Sequence, residues 1–133
     1  MITNENSLDD LKKKLYRLHF LLTEKENTDS VKKSLQQFIE CFNHAMSELS
    51  AFLENEYKLA AGNNMEIAEL SFQYKLINKE MSQEFKQMIT DAEILEQIDS
   101  PEKIYSNIKT HHAGHLQMIY DMLSRMGQDA EDE

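Results

Sequence analysis

Three of the five histidines in this 133-residue chain fall within five positions, at His111, His112 and His115. His111 and His115 make an H-x-x-x-H pair. On a helix that spacing sets two imidazoles on one face a turn apart, close enough to share a divalent metal ion, and helical bundles house such sites. A metal needs further ligands. Glu84 and His19, at the edges of their segments' core faces, are candidates, followed by Cys41 and His44. With Glu84 as third donor the set is His111, His115 and Glu84, suited to zinc or another divalent transition metal. Without a metal the same histidines become neutral core residues that need hydrogen bonds from Glu84, tyrosines or backbone carbonyls, and no cofactor is required. Cys41, the one cysteine, has no partner for a disulfide and reads as a buried, inert thiol.

The placement of these groups follows from the apolar pattern. Ile104, Ile108, Met118 and Met122 continue through positions 111 and 115 at alternating steps of four and three. One helical stripe has that spacing, so the last helix is expected to bury His111 and His115, with His112 beside the stripe. Ser100-Pro101-Glu102 supplies a cap, a proline in the first turn and an acid next to it, which starts this helix; it should end near Gly127. Residues 128–133 then form an acidic tail with nothing to bury, expected to be disordered, behind a single helical domain spanning 1–127.

Upstream, Leu8, Leu11, Leu15, Leu18 and Leu22 form a faultless heptad seam on a first helix capped by Ser7 and running to about Lys25. A polar break at residues 26–30 leads into a long second helix with the seam Val31, Leu35, Phe38, Phe42, Ala45, Leu49, Phe52, Glu56 and Leu59, in which only Glu56 breaks the apolar pattern. Gly62-Asn63-Asn64 marks the next turn. The third helix is expected to be long, about 65–98, with its seam thrown out of phase at Met81 by two successive steps of four, a stutter. Short connections favour antiparallel neighbours. The fold class is therefore all-α, an antiparallel four-helix bundle with long second and third helices.

The hairpin of helices two and three would outrun the first helix and leave its tip uncovered. Phe52, Tyr57, Phe72 and Leu76 there form an apolar patch suited to an interface, with the chain itself as a dimer or with another protein. A formal net charge of -10 argues against nucleic acid and anionic lipid as partners. Lys12-Lys13-Lys14 with Arg17 is the local exception, read as a solvated face. No stretch is long enough to span a membrane, and no basic segment precedes an apolar run at the N-terminus, so a cytoplasmic protein is expected. No phosphate-binding glycine loop or serine elbow is present, which favours a non-catalytic acidic bundle acting through protein contacts or self-association.

His111-His112-Ala113-Gly114-His115, with Leu123 and Gly127 downstream, resembles the last helix of the DinB/YfiT-like superfamily of metal-binding four-helix proteins. The resemblance implies His111 and His115 as metal ligands, His112 as a variant ligand, and a histidine from the second helix, here His44. A metal-binding bundle is thus the alternative function.

Overall fold

The computed structural model describes residues 3–95 and 102–131, with side chains over 8–95 and 102–126. All regular structure among them is helical: α1 (Thr3–Thr23), α2 (Thr28–Tyr57), α3 (Asn64–Gln73), α4 (Lys79–Ile94), α5 (Glu102–Asn107), a π-helical turn (Ile108–His112) and α6 (Ala113–Glu131). The leucine seam of α1 is buried as its period requires, with Leu11, Leu15, Leu18 and Leu22 inside the core. The helix begins at Thr3, ahead of the expected cap at Ser7.

Asn27, inside the polar break, caps α2. Its side chain accepts from the Ser30 amide while the Ser30 hydroxyl accepts from the Asn27 amide, 2.9 Å each, a reciprocal capping box. The helix has 30 residues, about 45 Å of rise. It ends at a left-handed Lys58, φ 59°, before Gly62. Asn63 caps α3, accepting from the Glu66 amide at 2.9 Å, and the Glu66 carboxylate accepts from the Gly62 amide at 3.1 Å.

The expected long third helix is corrected to two helices. α3 closes in a Schellman motif at Lys75, whose φ is 63°. The Leu76 amide donates to the Ser71 carbonyl at 2.8 Å and the Lys75 amide to Phe72 at 3.0 Å. Asn78 then caps α4, accepting from the Met81 amide at 2.7 Å. The phase fault at Met81 was therefore the mark of a new helix start. This break also changes the tip. Tyr74 turns its ring onto Tyr57, centroids 4.9 Å apart, and Tyr57 meets Phe52 at 6.1 Å. Phe52 and Leu76 are half-buried against the core, whereas Tyr57 and Phe72 stay partly exposed.

α1 lies along α2, α6 touches both, α3 packs on α4, and α2 is also contacted by α3 and α5. Phe38, Leu49, Leu53, Phe85, Met88, Ile108 and Leu116 fill the shared core. The last helix continues beyond Gly127 to Glu131. Among the described residues no helix is long and apolar enough to cross a membrane.

Candidate functional site

The π turn decides which histidines lie inside. The buried stripe of the last helical segment runs through Ile104, Ile108, His112, Leu116, Ile119 and Leu123, with Tyr105 and Ala113 buried beside it. Three successive steps of four exceed what α-helical turns of 3.6 residues allow, and the turn at 108–112 absorbs the surplus residue. Every position after Ile108 is consequently displaced by one from the stripe expected at 111, 115, 118 and 122. His111 and Met118 are exposed, and His112 is buried at 1%. The expected burial of His111 is thus corrected: the helix rotates by about 100° for the inserted residue.

His112 meets a carboxylate that the apolar pattern had not singled out. Its Nε2 lies 2.7 Å from Oδ2 of Asp91 on α4. The Asn107 amide donates to the same oxygen at 3.1 Å, and the Gln87 amide to the other at 2.9 Å. Both partners of the central pair are almost entirely buried, with side chains 2% and 5% exposed. Three donors satisfy a carboxylate that would otherwise be costly to bury. The Phe38 ring stacks on the imidazole, centroids 5.7 Å apart and 21° from parallel. Nδ1 of His112 is buried without a hydrogen-bond partner. An N–H there would be stranded, so the arrangement that fits has Nε2–H donating to Asp91. The sequence did hold a signal for Asp91. It stands three residues after Met88 and four before Leu95, a core spacing occupied by an acid.

Outside this anchor, the His111 and His115 rings run nearly parallel, 13° apart with centroids at 6.4 Å. Nδ1 of His115 is 4.0 Å from the Glu84 carboxylate, near enough for attraction and too far for a hydrogen bond. Burial holds the His115 pKa below its ordinary value, outweighing the opposing pull of Glu84, and the neighbouring His112 and His111 add to the lowering. His115 is therefore a neutral imidazole at pH 7, able to accept a proton. Among the described residues no three His, Cys, Asp or Glu side chains converge as a metal-ligand set.

The other expected candidates lie apart. His19 sits opposite α6, its Nε2 3.2 Å from the Gln117 side-chain oxygen. His44 accepts from the Lys14 ammonium at 3.0 Å and faces Glu48 at 3.4 Å. Cys41 is fully buried, and burial pushes its thiol up to about 12. That is the inert thiol expected.

No family model matches the chain, and no curated protein matches it. Solved structures do. A chain of the toxin-antitoxin MntA-HpeT is similar in fold with a TM-score of 0.78 at 13% identity, covering 92% of this chain and 97% of that one. A chain from the complex of tri-AMPylated Shewanella oneidensis HEPN toxin with MNT antitoxin has the same TM-score and identity, over 92% and 96%. A Thermus thermophilus protein follows with a TM-score of 0.73 at 18% identity, over 86% and 97%. The first two neighbours overturn the expectation of a non-catalytic acidic bundle with a metal-binding bundle as its alternative: both come from toxin-antitoxin complexes, one of which carries AMPylation.

Proposed function

We propose that this chain is the helical member of a toxin-antitoxin-type pair, and that its chemistry is general acid–base catalysis by exposed His111 and the half-buried His115 beside it. The observation that carries this reading is the match to MntA-HpeT, which runs over nearly the whole of both chains. The local geometry supports the second part. Asp91, Asn107 and His112 fix the turn from beneath, while His115, kept neutral, stands beside exposed His111 and within 4.0 Å of Glu84. Paired imidazoles of this kind suit a reaction in which one group takes a proton and another gives one. The exposed aromatics Tyr57 and Phe72, flanked by Phe52 and Leu76, offer the surface for the protein partner.

The test is growth. Induced alone in a bacterial host, the chain is expected to slow division, and His111→Ala and His115→Ala are expected to relieve the arrest while the purified variants keep the wild-type helical circular dichroism. Growth equal to the empty vector, or undiminished arrest by both folded variants, would contradict the proposal.

A further inference from the structure

A second feature lies where α1 meets α2. Between α1 and α2 runs a groove of about 450 Å³ whose walls carry Lys13, Lys14, Arg17 and Lys33, with Glu40 as its one carboxylate. In a chain of net charge -10 this is a local reversal of sign. Such a concave field concentrates anions. Its floor is fixed: buried Gln37 donates to the Lys14 carbonyl at 3.0 Å, and the Lys14 ammonium is held by His44 at 3.0 Å. Lys33 has only a solvent-exposed pairing with Asp29 at 3.2 Å, which a stronger anion displaces at little cost. Lys13 and Arg17 pair with no acid among the described residues. They stand four apart on one helix face, so their repulsion is a standing cost that a bound anion removes.

We infer that this groove binds a small molecule carrying two adjacent phosphates. One phosphate is gripped by Lys13 and Arg17, a turn apart on α1, with the guanidinium able to take two oxygens at once. The second reaches Lys33 across the groove. The volume lies in the range of small-ligand sites, about 300–1,000 Å³, and Glu40 favours a hydroxyl donor beyond the phosphates over a third phosphate. Inorganic pyrophosphate and a nucleoside diphosphate share this chemistry.

Calorimetric titration at about 150 mM salt, where long-range surface attraction is screened, tests the inference with pyrophosphate, ADP and adenosine. Pyrophosphate and ADP are expected to bind and adenosine is not. ADP binding more tightly than pyrophosphate assigns the nucleoside as part of the ligand; equal affinities assign the diphosphate alone. Lys13→Gln with Arg17→Gln should weaken binding by at least about tenfold, the loss expected when two charge-assisted contacts go, with circular dichroism unchanged. Lys79→Gln with Lys103→Gln, which removes the same charge elsewhere, should leave affinity as it is. Absence of binding by both phosphates, equal losses in the two double variants, or binding of a single-stranded oligonucleotide in place of both small ligands would overturn the inference.

Discussion

Nε2 of His112 and Oδ2 of Asp91 stand 2.7 Å apart in the core, joining the last helical segment to α4 beneath the π turn. Removing one member strands the other together with Asn107 and Gln87. Asp91→Ala is therefore expected to destabilise the fold by about 3 kcal/mol, the usual cost of breaking a buried pair from one side. Urea unfolding measures it. A double-mutant cycle with His112→Ala should show that the second substitution costs far less once the first is present.

Acid should also weaken the fold through His115. Its folded pKa lies below the ordinary 6.5 because burial disfavours the charged ring. Above that value both folded and unfolded states hold it neutral, and it contributes no slope. As pH falls below 6.5 the unfolded chain takes up a proton that the folded ring refuses, so stability declines. The decline in unfolding free energy between pH 7 and pH 5.5 should be shallower in His115→Gln than in wild type; identical slopes would mean the ring is not held neutral.

The first helix and the core of the second were legible because burial alone sets their pattern. Leu11, Leu15, Leu18, Phe38 and Leu49 keep a helical period and are all inside. The third helix misled because its end relies on Lys75 at a position where glycine is the usual signal, while Asn78 looked like an ordinary polar residue. The histidine site misled for a different reason. Nothing in the residues 108–112 announces a π turn, and one surplus residue exchanges His111 for His112 in the core. The histidine cluster itself, and its level beside Glu84, were readable.

Lys75 provides a local check on the corrected break. A left-handed lysine costs about 1 kcal/mol or more relative to glycine, so Lys75→Gly should raise the melting temperature. Lys75→Val, with its branched carbon crowding the same conformation, should lower it. Were the chain helical through this point, the order would be reversed, because glycine is a poor helix-interior residue.

Cys41 should be silent in the native protein. With the thiol buried and pushed up to about 12, a chromogenic disulfide reagent at pH 8 is expected to react only as fast as the protein opens, and at once in denaturant. Immediate reaction under native conditions would place the thiol at the surface.

The register of the π turn underlies both the buried His112–Asp91 anchor and the exposure of His111, and chemical footprinting reads it directly. Brief treatment of the native protein with diethylpyrocarbonate, with the modified imidazoles located by mass spectrometry, should label exposed His111 readily and leave His112, buried at 1% and held by Asp91, unmodified until the protein unfolds. Labelling of His112 with His111 protected would restore the uninterrupted α-helical register and contradict the site described above.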